Sequence, residues 1–175
     1  MGKKLMIGVL VFALVLGGVA IAAFAWQNEK MQEVDMRYGP LIKASYGVYL
    51  NLNEYMQSDG DAQLAMLTAG PYFNEFIQRT DMLEYVNGDS SGTDWYINFK
   101  AALDVAHIRF QLISDSVISG EQLDARDQAL LARIYSAFDG MQHALRDPDG
   151  SLKWELLKDG YLVESVKAFT ASITG

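Results

Sequence analysis

After its first 26 residues the chain breaks into segments in which apolar residues recur every three or four positions, the mark of amphipathic helices. Gln27 to Tyr38 is polar, with Met31, Val34 and Tyr38 at helical intervals, and predicts a short juxtamembrane helix stopped by Gly39-Pro40. Pro40 suits the first position of a second helix, where a missing N-H costs nothing. Ile42, Tyr49, Leu52 and Met56 supply the stripe of that helix to about Gln57, and Ser58-Asp59-Gly60-Asp61 reads as a turn. The next helix is expected from about Asp61 to Val86, kinked or split at Gly70-Pro71. Leu64 and Leu67 precede that break, and Phe73, Phe76, Ile77 and Leu83 come after it. Asn87 to Gly92 is the most loop-like stretch, with Thr93 as the expected N-cap of the helix beyond it.

The segment from Asp94 to Ser119 carries the strongest pattern. Tyr96, Phe99, Leu103, Ala106, Phe110, Ile113 and Val117 alternate steps of three and four, a heptad-like seam. A second stripe of Ile97, Ala101, Val105, Ile108 and Leu112 falls on the opposite side. Two apolar faces predict the most buried helix of the domain. A capping box, Ser119-Gly-Glu-Gln122, is expected to open the next helix, whose inner face is Leu131, Ile134, Phe138, Met141 and Leu145. Asp147-Pro148-Asp149-Gly150 turns the chain into a last helix from Ser151 to Ile173, bent at Gly160. Trp154 and Leu157 lie early on it, and Leu162, Val166, Phe169 and Ile173 later. With no sustained alternating strand pattern and no repeat, the predicted class is all-α: an N-terminal single transmembrane helix followed by an antiparallel four- to five-helix bundle.

The transmembrane element is Leu5 to Trp26, which contains no charged residue. As a helix it measures roughly 33 Å, enough for a hydrocarbon core of about 30 Å. Lys3 and Lys4 precede it and a mixed-sign flank succeeds it, an asymmetry that keeps the N-terminus in the cytoplasm. The expected divisions are residues 1–4 cytoplasmic, 5–26 the anchor in contact with membrane lipid, 27–39 the juxtamembrane helix and 40–175 an extracytoplasmic bundle. The alternative is a cleaved signal peptide with its site at Ala23-Phe24-Ala25, releasing a secreted or periplasmic protein.

The charge balance is 14 Lys+Arg against 22 Asp+Glu; without Lys3 and Lys4 the exterior part carries 12 against 22, a net charge of −10. That sign argues against nucleic acid and against adhesion to anionic lipid heads. Zero cysteines exclude disulfides and thiolate chemistry, so packing alone must hold the domain.

Candidate chemistry is sparse, and neither a catalytic residue nor a cofactor or metal site is expected. Asp104 and His107 have the i, i+3 spacing of di-metal bundles, but His143 is paired only with Asp139 at i, i+4, short of the ligand set such a centre needs. Asp147 to Glu155 begins like a calcium loop, yet its glycine is fourth and Lys158 stands where the bidentate glutamate belongs. No serine sits in a nucleophile elbow and no glycine-rich loop succeeds a strand. Tyrosines crowd the first half, and Tyr46, Tyr49, Tyr55 and Tyr72 form the candidate interaction patch.

The expected function is therefore binding: an accessory or regulatory subunit touching a protein partner or a second copy of itself. In architecture alone, one anchor leading into such a bundle resembles the extracytoplasmic sensor domains of bacterial chemoreceptors and sensor kinases. That likeness makes a ligand-binding module, with a pocket near Gly70-Pro71, the alternative, and a secreted structural protein the third. An exposed apolar helix face favours the first reading and a closed cavity with converging polar groups the second.

Overall fold

The computed structural model describes residues 2–57, 61–85, 93–158 and 160–174, the side chains of residues 2–13, 82, 84, 85, 93 and 94 excepted. The elements are α1 (Gly2–Gln57), α2 (Ala62–Arg79) running into a 3-10 turn (Thr80–Tyr85), α3 (Thr93–Ile118), α4 (Ala125–Leu145), a second 3-10 turn (Trp154–Leu157) and α5 (Tyr161–Thr174). No strand occurs among the described residues, and the all-α bundle is as predicted. The expected turn at Ser58-Asp59-Gly60 and the loop from Asn87 to Gly92 lie outside the described residues.

Neither proline breaks its helix. The expected stop at Gly39-Pro40 is absent, and α1 runs on through it. An internal proline forfeits one backbone bond and crowds the preceding turn, a cost of about 3 kcal/mol. Burial of Leu41, Ile42, Ala44, Ser45 and Val48 immediately beyond it keeps the helix in line. A Cβ at residue 39 would stand 2.8 Å from Asp35 Oδ1, the tip of an exposed side chain that is free to turn aside. Pro71 likewise lies inside α2, between buried Ala69 and Phe73, so the predicted split at Gly70-Pro71 is also corrected. The change of winding comes later, at Thr80, where the Oγ1 hydroxyl donates to Ile77 O at 2.6 Å.

Helix ends obey side-chain chemistry. Asp61 caps α2 by accepting from the N-H groups of Gln63 and Leu64, and Asp124 caps α4 by accepting from Asp127 N at 2.7 Å. Ser119-Gly-Glu-Gln122 is therefore not a capping box. It ends α3 instead: Gly120 takes φ +77°, with Gly120 N bonded to Val117 O and Glu121 N to Ser116 O. This is the paired arrangement of a left-handed helix stop. Thr93 is the first residue of α3 rather than its cap. Gly160, at φ +80°, separates the 3-10 turn from α5, so the predicted bent helix is two elements. Leu156 is buried there and Trp154 is exposed.

The core is aromatic at its centre. Phe138 of α4 lies 5.3 Å from Phe73, 5.1 Å from Phe76 and 4.9 Å from Phe169 between ring centroids, in edge-on contacts. Phe110 joins at 5.2 Å from Phe73, and Phe99 at 6.3 Å from Phe169. Six phenylalanines thus tie α2, α3, α4 and α5 together, with Leu41, Ile42, Val48 and Leu52 of α1 closing the cluster. The predicted inner positions of α4 are all buried, as are Leu162, Val166, Phe169 and Ile173 of α5.

The expectation for α3 holds on one face only. Phe99, Leu103, Ala106, Phe110, Ile113 and Val117 are buried, but Ile97, Val105, Ile108 and Leu112 are 60%, 64%, 59% and 56% exposed. α3 is a wall of the bundle and not its central helix, because α2 and α5 flank its inner side and no element among the described residues covers the outer one.

Every described side chain from Leu14 to Glu29 is exposed, so this part of α1 stands clear of the bundle. Among the described residues no helix is long and apolar enough to cross a membrane. The side chains of residues 5–13, which begin the expected span, lie outside the described residues.

Phe110→Ala is expected to lower unfolding free energy by about 3 to 5 kcal/mol, and His143→Ala by less than about 1 kcal/mol. Urea denaturation checks the contrast. Gly47 packs directly under the Tyr72 ring, which occupies the place a Cβ would need. Gly47→Ala should therefore cost on the order of 1 to 3 kcal/mol, and much less in a Tyr72→Ala background, a non-additivity that a double-mutant cycle reads directly.

Candidate functional site

The four candidate tyrosines do not form one patch. Tyr46 and Tyr49 sit together on the side of α1 that meets α4, with ring centroids 6.1 Å apart, and Tyr49 stacks on Tyr135 at 6.0 Å. Tyr135 donates its hydroxyl to Asn53 Oδ1 at 3.0 Å. Tyr72 lies over Gly47 on the side of α1 that meets α2, and Tyr55 packs half-buried against the core. The helical wheel accounts for the division: positions 46 and 49 face one neighbour, 47 the other.

Around Tyr46 and Tyr49 the end of α4 and the turn after it build a cleft of about 360 Å³, lined also by Gln142, His143, Arg146 and Lys153. The turn is a small hairpin. Asp147 N bonds to Ser151 O, Lys153 N to Leu145 O, and Gly150 takes φ +86°. Arg146 places its guanidinium 5.0 Å from the Tyr46 ring centre and donates to Gly150 O at 2.7 Å. Gln142, 5% exposed, donates to Ser45 Oγ at 2.9 Å, and Ser45 passes its own hydrogen to Ile42 O. Gln142 Oε1 and Arg146 Nε, one turn apart, have no protein partner. The cleft is chiefly a polar seam joining α1 to α4.

The histidines divide by environment. His107 is half-buried with its ring 5.2 Å from Phe73. Burial holds its pKa below the ordinary value, against a smaller upward pull from Asp104. His143 is exposed, with Nδ1 2.9 Å from Asp139 O and 3.4 Å from Asp139 Oδ1. Asp149 is held below its ordinary pKa by Ser151, which gives it both its hydroxyl and its backbone N-H. Its carboxylate oxygen thus caps the turn. Among the described residues no group of three or more His, Asp and Glu side chains is placed to hold a metal ion.

Two features escaped the reading of the sequence. One is the open outer face of α3. The other is a groove of about 740 Å³ between α3 and α4 where α5 comes to its end. Its lining includes Ala102, Val105, Ala106, Leu130 and Ile173 together with Arg109, Arg126 and Arg133. A signal for the arginines existed: none has an Asp or Glu three or four residues away on its helix, whereas Arg79 has Glu75 and Lys167 has Glu164. Comparison with family models, with curated proteins and with solved structures finds no match for the chain.

The environment of His107 gives a stability profile. Its folded pKa is depressed, so the unfolded chain takes up the proton first; the stabilisation is complete above the ordinary pKa of about 6.5 and declines as pH falls below it. The urea midpoint should drop between about pH 7 and pH 5, and His107→Gln should flatten that part of the profile. Equal slopes in both proteins would assign the drop to other groups.

Proposed function

We propose that the protein is a membrane-tethered, extracytoplasmic helical-bundle module that acts by binding, as an accessory or regulatory subunit holding a protein partner against the outer face of α3. The observation that carries this reading is the exposed stripe Ile97, Ala101, Val105, Ile108 and Leu112, which runs along one side of α3 for roughly 22 Å. Contiguous exposed apolar surface of this kind marks contact sites in folded proteins, and its i, i+4, i+8, i+11, i+15 spacing suits an apolar helix laid along it. A second copy fits less well. An antiparallel two-fold pairing would centre between Asp104 and Val105, setting Asp104 against its own counterpart. A different chain is therefore the occupant.

The tether is residues 5–26. The uncharged run Leu5 to Trp26 favours a bilayer, the exposed Leu14, Leu16, Ile21, Phe24 and Trp26 stand outside the bundle, and one uninterrupted helix links this stretch to the core. Such a continuous helix passes a tilt of the anchor to the bundle without a hinge. A cleaved leader would leave the α3 reading intact.

Membranes carrying the full chain should retain it through a high-salt wash, and a cysteine at the exposed position Glu121 should react with an impermeant thiol reagent in intact cells. Release by salt would sink the tether. For the partner, the protein extracted from its own cells in mild detergent should run as a complex containing a second polypeptide. Ile97→Ser, Ile108→Ser and Leu112→Ser together should reduce it to one chain without lowering its urea midpoint. A complex containing only copies of this chain, or one indifferent to the three substitutions, would overturn the assignment.

A further inference from the structure

We propose that the groove between α3 and α4 is a binding site for a small amphiphilic anion taken from solution, with an apolar body against Ala102, Val105, Ala106, Leu130 and Ile173 and an acidic head among Arg109, Arg126 and Arg133. Positive charge is unevenly placed. In a chain of net charge −8, three of the six arginines line one groove. Arg37 lies over Tyr38, Arg79 pairs with Glu75, and Arg146 engages Tyr46 and Gly150. Among the described residues, Arg109, Arg126 and Arg133 make no ion pair, hydrogen bond or ring contact, although a guanidinium is the side chain best suited to gripping a carboxylate, sulfonate or phosphate. The one carboxylate in the lining is Asp127, whose backbone N-H is held by the Asp124 cap.

Geometry supplies the apolar half. The space between α3 and α4 is floored by small or branched apolar side chains and bordered by Thr170, Ile173 and Thr174 of α5. Its volume of about 740 Å³ falls within the range of small-molecule sites, which are largely apolar with a few placed polar groups. Arg126 and Arg133 are two turns apart on one face of α4, and Arg109 faces them from α3, so an acidic head can be approached from two helices. The topology favours solution as the source, a step that rests on the proposed tether. α4 runs antiparallel to α1, since Tyr135 meets Asn53 while Arg146 meets Tyr46 and lines one cleft with Asp35. Arg126 therefore lies at the end of the bundle opposite the one that α1 enters, remote from any bilayer holding residues 5–26. Ala101 and Val105 belong both to this lining and to the outer stripe of α3, so the groove adjoins the face proposed for a partner.

The probe is 8-anilinonaphthalene-1-sulfonate, a compact apolar anion, titrated by fluorescence into the full chain in phosphatidylcholine nanodiscs with empty discs subtracted. One saturable site is expected, at least about tenfold weaker in Arg109→Gln/Arg126→Gln/Arg133→Gln and unchanged in Arg79→Gln. Each single arginine substitution, which breaks no internal contact, should weaken binding measurably if the triple variant fails to fold. Uncharged 1-anilinonaphthalene should bind at least about tenfold less tightly, and decanoate should displace the probe where decanol does not. Binding that is non-saturable, indifferent to the arginines or equal for the uncharged analogue would overturn the proposal. Displacement by phosphatidylglycerol in the disc would transfer the site to a lipid headgroup and overturn the solution source.

Discussion

The bundle depends on one contact set, the edge-on packing of Phe138 against Phe73, Phe76 and Phe169. Aromatic pairs in this geometry contribute about 0.5 to 1.5 kcal/mol each beyond the burial of their surfaces. With no cysteine for a disulfide and no metal cluster among the described residues, nothing covalent assists. The rings also decide angles. Phe169 must meet α2, α3 and α4 together, which seats α5 between α3 and α4. The arginine-lined groove lies between those two neighbours, beside the last turn of α5.

The same arrangement explains why α3 has an open face. A helix on the rim of a bundle needs only one apolar stripe, and α3 has two. The inner stripe satisfies the fold through Phe99, Phe110 and Ile113. The outer one, with Ile97, Val105, Ile108 and Leu112 exposed, has an energetic cost in water, which is the physical reason the proposal of a partner starts from it. The surplus arginines obey the same logic: a charge that makes no internal pair in an acidic chain adds little to stability and is free to serve recognition.

At the opposite end, the α1–α4 seam is polar where the rest of the core is aromatic. The bond from Gln142 to Ser45, and the Arg146 guanidinium against Tyr46, fix the register of α4 on the helix that also carries the apolar N-terminal stretch. A buried polar pair tolerates no slippage, since a shift of one turn strands both groups unsatisfied.

Periodicity alone determined the class of the protein and most of the buried side chains, because the 3.6-residue repeat is a local property and a stripe such as Leu131, Ile134, Phe138, Met141 and Leu145 has only one way to avoid water. It misjudged Gly39-Pro40, Gly70-Pro71 and Ser119 to Gln122. In the first two, tertiary burial outweighs a local cost of about 3 kcal/mol; in the third, the same residues satisfy the end of one helix as readily as the start of another. The separation of Tyr46 and Tyr49 from Tyr72, and the placing of Arg109, Arg126 and Arg133 along one groove, were decided by tertiary structure. Which helix faces which neighbour depends on how the phenylalanines of four helices pack, and no stretch of sequence contains that information by itself.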